Sequence, residues 1–315
     1  MSADPLAGQM RIAAASLLAG LDDGQRELAA RPFGDDAARR WLEYRPQRRP
    51  GACLADLTGT ARKAAHRLLA TGLSEHAYAQ AMSIVALEEV LDREEQWRRG
   101  RHSGDYWVSM YGDPQGGQPW SWRFEGHHLS VTMTVAGEEV SPAPVFFGAN
   151  PACVSYAGRP VSRPLAPEED LVRALLDAMG PRGRTAAVVA GQAPADIRTA
   201  TSPRARERIE PLGLAAADLG PGARAVLGQL AAVYLDRLPA GLAAREASRI
   251  GADLHFAWEG PLTPGARHYY RVQGDDLLIE YDTTDDGNHA HTVLRRPRSD
   301  FGDDVLAAHY GQAHP

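Results

Sequence analysis

The sequence is poor in cysteine, in long apolar runs and in the common catalytic signatures, and each shortage removes a class of function. Its 315 residues include two cysteines, Cys53 and Cys153, far apart in the chain. Such a pair makes neither a disulfide framework nor a CxxC metal knuckle, so both read as reduced, buried small residues. No apolar run approaches the roughly 18 residues that a membrane span needs. No GxGxxG follows a strand-like run and no Walker A sequence occurs, which removes the phosphate-cradling loops. A GxSxG elbow and an HExxH helix are also missing, and neither cysteine lies near a histidine in sequence. Positive charge is not in excess: a net charge of −6 and a pI near 6.0 argue against a nucleic-acid or anionic-membrane binder. Arginines do gather at "RPQRRP" (45–50) and "RRPRSD" (295–300), and short clusters of this kind read as solvated surface.

What remains is the composition of a globular protein, 44% hydrophobic and 23% charged, long enough for one large domain or two medium ones. "MRIAAASLLAGL" (10–21) superficially resembles the apolar region of a secretory signal. The same texture returns inside the chain at "VRALLDAMGPRGRTAA" (172–187). A targeting peptide does not recur internally, so 10–30 reads as a structural helix and a cytoplasmic location is expected.

That recurrence extends to further segments in the same order. "GACLADLTGTARKAAHRLL" (51–69) aligns with "GLAAADLGPGARAVLGQLA" (213–231), sharing Gly51/Gly213, Asp56/Asp218 and Arg62/Arg224. "YWVSMYGDPQGGQPWSWRFEGHHLSVTM" (106–133) aligns without a gap with "LHFAWEGPLTPGARHYYRVQGDDLLIEY" (254–281), sharing Gly112/Gly260, Arg123/Arg271 and Gly126/Gly274. Each half reads as helices followed by alternating strands. Helices are expected at 10–30, 58–72 and 76–98, then at 168–180, 220–236 and 239–250. Period-two alternation marks 106–111, 120–135 and 140–147, then 254–259, 268–282 and 288–294. The expected fold is α+β, with two tandem, duplicated halves related by a pseudo-twofold. Residues 8–150 form the first repeat, 151–167 the linker and 168–311 the second repeat.

The polar residues at the strand ends carry the chemistry. Leu129, Val131 and Met133 share one strand face, and continuing that face backwards gives His127, Glu125 and Arg123. The second copy offers Arg271 in the place of Arg123. His128 falls on the opposite face unless Gly126 introduces a bulge. His289 and His291 stand two apart on a strand, so both imidazoles point one way and suit a shared metal ion. Asp282 lies across the turn as a carboxylate ligand or as a partner for an imidazole N–H. Any such site is asymmetric, since one copy supplies His-x-His and the other His127-His128.

The blocks "WSWRFEGHHLSVTMTV", "VFFGANPA", "HYYRVQG", "LLIEYDTTDDGNHAHTV" and "DFGDDVLAAHY" resemble the domain-of-unknown-function family 3500 over nearly the whole chain. Members typically carry "YDNTQN" where this chain has "YDTTDD" (281–286). The resemblance implies that 122–130 and 281–302 are signature regions and brings no activity with it.

The expectation is a metal-dependent enzyme acting on a small polar or peptide-like substrate, with an anionic one among the candidates. A divalent zinc, iron or copper ion would be held by His289 and His291 with His127, His128 or Asp282. Glu125 would be the general base, and Arg123 and Arg271 would fix the substrate. Zinc points to hydrolysis, and non-haem iron or copper to an oxidoreductase. The alternative is a metal-free small-molecule-binding protein whose cleft is lined by Trp107, Trp120, Trp122, Tyr269 and Tyr270.

Overall fold

A computed structural model describes residues 6–284 and 286–313. In chain order it contains α1 (Leu6–Gly20), α2 (Asp23–Ala29), β1 (Ala30–Arg31), α3 (Asp36–Arg39), β2 (Ala52–Cys53), α4 (Gly59–Gly72) and α5 (Glu75–Glu94). There follow β3 (Tyr106–Tyr111), β4 (Trp120–Gly126), β5 (Leu129–Ala136), β6 (Glu139–Ser141), β7 (Val145–Ala149), β8 (Val154–Tyr156) and β9 (Arg159–Ser162). The remainder is α6 (Ala166–Ala178), α7 (Gly180–Ala187), β10 (Val188–Ala190), β11 (Leu214–Ala215), α8 (Pro221–Leu235), α9 (Ala240–Ser248), β12 (His255–Glu259), β13 (Tyr269–Gly274), β14 (Leu277–Thr284), β15 (His289–Arg295) and α10 (Asp303–Ala313). Among the described residues no helix is long and apolar enough to cross a membrane.

The class is α+β as expected, built on one large, mostly antiparallel sheet. Its strands run in the order β1-β3-β4-β5-β7-β15-β14-β13-β12-β10, with β2, β6 and β11 paired at the side. The expected linker contains a hairpin of its own, β8–β9. The helix expected over 10–30 is two helices. Asp22 stops the first and caps the second: its carboxylate accepts from Gln25 N at 2.8 Å while Gln25 Oε1 accepts from Asp22 N at 3.2 Å.

The hairpin pairing corrects the expected strand faces. Gly126 opposes Leu129 and Arg123 opposes Thr132, so odd-numbered residues of β4 share a face with even-numbered residues of β5. Trp120, Trp122 and Phe124 therefore lie with Val131, Met133 and Val135, and this apolar face packs against the helices. Arg123 and Glu125 lie on the other face with Ser130 and Thr132. A hairpin closed by a two-residue turn reverses the parity that a single continuous strand would keep.

The polar face is covered by two irregular segments, 32–51 and 191–213. A covering loop carries backbone carbonyls that need donors once buried. Arg123 Nη1 donates to the carbonyls of Ala38 (3.1 Å) and Arg39 (3.2 Å), and Gln273 Nε2 donates to Ile209 O (2.9 Å). A small apolar cluster of Leu42, Tyr44, Phe146, Ile197 and Val293 pins both segments to the sheet. The basic clusters are only partly solvated. Arg49 is buried beside Glu125, and Arg295 donates to Asp300 at 2.8 Å.

On the helix side, Glu169 of α6 meets His268 Nε2 and Arg173 Nε, each at 2.8 Å. Burial alone would raise the Glu169 carboxyl, but these two partners outweigh it and hold it down to about 2. A carboxyl depressed on folding stabilises the fold above its unfolded value, near pH 4.3, and loses that contribution as the pH falls towards 2. Glu169→Gln is therefore expected to cost about 2 kcal/mol at pH 7. The gap between thermal melts of the two proteins should begin to narrow below about pH 4 and close near pH 2, and a gap that stays constant with pH would rule the coupling out.

Candidate functional site

His127 and His128 form the two-residue turn between β4 and β5. His128 takes a left-handed backbone conformation (φ 61°), which histidine tolerates better than most residues. The turn is clamped on three sides. His128 N donates to Tyr44 O (3.2 Å), Gly148 N of β7 donates to His128 O (2.7 Å), and Tyr106 Oη donates to His127 O (2.7 Å). The clamp aims the His128 ring across β7 towards β15.

β15 begins at His289, and its alternation puts His289 and His291 on the loop-covered face. His291 is flanked by Gly148 in β7 and Asp282 in β14. His128 Nε2 and His289 Nε2 are 2.8 Å apart, and His291 completes the triangle with ring centroids 5.4 Å from His128 and 4.6 Å from His289. One nitrogen from each ring falls within 4.8 Å of the others. Gly148 makes room for this, since a Cβ there would stand 2.8 Å from His128 Cδ2 and 3.0 Å from Ala290 O.

His291 is oriented from behind. Its Nδ1 lies 3.0 Å from Asp196 Oδ1 and 3.3 Å from Asp282 Oδ1. Asp196 is itself held by Tyr44 Oη at 2.7 Å, and the Tyr44 ring stacks on Phe146 at 4.1 Å. Burial opposes charge on His291, but the two carboxylates outweigh it and raise the imidazole to about 9. Burial raises the Asp282 carboxyl, which His291 only partly offsets. His128 goes the other way: burial, then the neighbouring imidazoles, push it well below the ordinary histidine value. The trio therefore holds one imidazole that favours a positive charge and one that stays a neutral nitrogen donor.

His127 stacks on His128 with centroids 3.6 Å apart, but its Nδ1 is taken by a short hydrogen bond to Glu88 Oε1 of α5. Burial lowers His127, and Glu88 opposes that shift. Both residues line a cavity of about 470 Å³ together with Arg101, Trp107 and Cys53. Burial pushes the Cys53 thiol up, which keeps it protonated and a poor nucleophile.

Three residues expected at the site are engaged elsewhere on the same face. Glu125 accepts from Arg123 Nε at 2.6 Å and lies 3.6 Å from Arg49 Nε, and all three side chains are buried. Arg271 donates to Glu259 Oε1 at 2.7 Å and to the carbonyl of Pro211. Trp120, Trp122, Tyr269 and Tyr270 are buried, and of the aromatic residues named for a cleft Trp107 lines the cavity beside His127. Glu88, Asp196, Tyr44 and Gly148 escaped the sequence reading. Glu88 left a signal: it falls four residues after Ile84, on the buried stripe of α5 with Leu87 and Leu91. Asp196 left none, because it lies in an irregular stretch without period.

A family model described as "Protein of unknown function (DUF3500)" matches residues 4–303. No curated protein and no solved structure matches the chain.

Gly148→Ala tests the packing directly. The added methyl is expected to displace the His128 ring, cost about 1–3 kcal/mol in thermal or chemical unfolding, and shift the ring signals of His128 and His289 together in imidazole NMR. Unmoved signals would show that the close approach at Gly148 does not hold the pair.

Proposed function

The chain belongs to the DUF3500 family, and from the geometry within it we propose a metal-dependent enzyme acting on a small polar or peptide-like substrate, with metal-assisted hydrolysis as the preferred chemistry. The ligands in this reading are His128, His289 and His291. The single observation that carries it is the convergence of imidazoles from two distant hairpins, with His291 Nδ1 already engaged by Asp196 and Asp282. A carboxylate on one imidazole nitrogen fixes the tautomer and leaves the other nitrogen as a more basic ligand. Asp282 adds support from the chemistry of the site: it is fully buried and its oxygens make no well-aligned hydrogen bond, so it requires a positive charge nearby. Zinc–nitrogen bonds of about 2.0–2.1 Å at tetrahedral angles place ligand nitrogens about 3.3 Å apart. The His128–His289 pair, at 2.8 Å, needs to open only slightly.

A bound divalent ion would polarise a carbonyl or lower the pKa of a bound water. The proton-handling role passes from Glu125, which is locked to Arg123, to His127. With Nδ1–H donated to Glu88, its Nε2 is the basic nitrogen. An all-imidazole set also suits copper, which keeps an oxidoreductase as the second reading. The two-histidine, one-carboxylate iron pattern is less well served, because both aspartates are spent on His291.

We also read the two halves as duplicated about a pseudo-twofold. The sheet order is a mirror image around the β7–β15 pair, and registers repeat at an offset of 148. Ser109 pairs with Arg123 and Arg123 with Thr132, as Ala257 pairs with Arg271 and Arg271 with Glu280. Asp275 and Asp276 stand where the first half has His127 and His128. This reading therefore assigns one metal ion per chain.

Elemental analysis of protein purified without added metal is expected to give about one equivalent, zinc for hydrolysis or copper for oxidation. The variants His128→Ala and His289→Ala should each weaken metal affinity by at least 10- to 100-fold. Unchanged metal content in the double variant, with a retained fold, overturns the centre, and no bound metal in the native protein leaves the metal-free binding protein.

A further inference from the structure

The cavity beside His127 has a chemical character that the metal centre does not explain. Two carboxylates face it, Asp56 and Asp105, and neither makes a hydrogen bond or ion pair among the described residues. Arg101 adds no free positive charge, since Glu95 accepts from it at 2.9 and 3.0 Å. The field is negative: Asp105 is raised by burial and then by Glu88 and Asp56, after a partial offset from His102, and Cys53 feels Asp56 and Asp105. Trp107 lines the wall with its indole, a surface that attracts cations. The fifth feature is His127, which is more than nine-tenths buried and lines the same cavity. Its Nδ1 is taken by Glu88, and its Nε2 has no hydrogen-bond partner among the described residues. At the cavity rim Arg48 is exposed and unpaired.

We propose that this cavity binds the free ammonium group of an amino acid or short peptide, with Asp56, Asp105 and Trp107 taking the amine and Arg48 receiving the carboxylate. The proposal deepens the enzyme reading and rests on it in one respect: His127 stands as the wall between the bound amine and the metal centre. The pairing of acids that have no protein partner among the described residues with an aromatic face selects a cation over a neutral amide. A single unpaired arginine in the same lining selects a zwitterion over a simple polyamine. Acetylating the amine removes both its charge and two of its donors, so the acetylated ligand leaves two carboxylates facing an uncharged group.

The test is calorimetric titration of the full chain at pH 7 with L-alanyl-L-alanine and with N-acetyl-L-alanyl-L-alanine, in metal-free and zinc-loaded protein. The free dipeptide is expected to bind at least tenfold more tightly than the acetylated one, with or without metal. Asp105→Asn and Asp56→Asn should each weaken the free dipeptide about tenfold and leave the acetylated one unchanged. Thermal melts of both variants check that the fold is kept. Equal affinity for the two peptides, no measurable binding of the free dipeptide, or undiminished binding by the folded double variant overturns the proposal. His289→Ala separates the two readings. Lost metal with retained discrimination between the peptides upholds both readings, retained metal with retained discrimination counts against the metal centre alone, and lost metal with no discrimination counts against the amine site alone.

Discussion

The antiparallel pairing of β7 with β15 is the constraint on which the rest depends. It is the only place where the strands of the first half meet those of the second among the described residues, and it sets the register that puts His291 opposite Gly148. The same Gly148 carries the backbone hydrogen bond to His128 O and leaves space for its ring. A slip of one residue would send His291 to the helix-packed face and His289 with it, because strand side chains alternate. The site is therefore a consequence of sheet register, more than of any loop. Three histidines that are distant in sequence meet because two hairpins share one seam.

The second requirement is that a polar sheet face be buried by mostly irregular chain in which α3 is a single short helix. Segments 32–51 and 191–213 do the covering, and they have too few apolar residues to hold themselves there by burial alone. Arginine supplies the difference. Lys63 is the single lysine among 34 basic residues, and Arg123, Arg271 and Arg295 are fully buried. A guanidinium can satisfy a carboxylate and several carbonyls at once, which an ammonium does less well because it is a compact, strongly hydrated charge. Arg123 does this between Glu125 and the end of α3, and Arg271 between Glu259 and the 209–211 carbonyls. These ion pairs hold Tyr44 and Asp196 over the histidines, so residues expected to act on substrate instead hold the segments that orient the site.

How much of this was readable in the sequence follows from which features are local. The strands with clear alternation were legible, and β3 (Tyr106–Tyr111) runs over the expected 106–111. The gathering of His128 with His289 and His291 was legible as two hairpin-end clusters. Side-chain direction was not, because the parity of a face across a hairpin depends on the turn length, and Gly126–Leu129 closes a turn of two. This placed Arg123 and Glu125 on the wrong face and made Glu125 look available as a base. Asp196 and Tyr44 were invisible for a different reason. They sit in segments with no period, placed by contacts to residues roughly 80 to 150 positions away, such as the Tyr44–Asp196 hydrogen bond. Glu88 lay between these extremes, as a carboxylate on an apolar stripe with nothing nearby to name its partner.

The charge arrangement around His291 links the fold to the proposed chemistry. Asp282 is buried on β14 and cannot reach water, so folding alone would leave a carboxylate without compensation. His291 answers it by holding a positive charge, and Asp196 adds to the same demand from the loop side. In the proposed reading a proton and a metal ion would compete for the outer nitrogen of that ring, and the aspartates would favour either one over a neutral imidazole. In the proposed reading, selectivity for a metal would have to come from His128 and His289. Burial keeps His128 unprotonated, and its strained turn points it at His289, so two nitrogen donors are presented together where a single proton can satisfy only one contact. The left-handed conformation of His128 then has a physical reason: it is the backbone geometry that turns the ring of a hairpin residue towards His289 on the neighbouring hairpin.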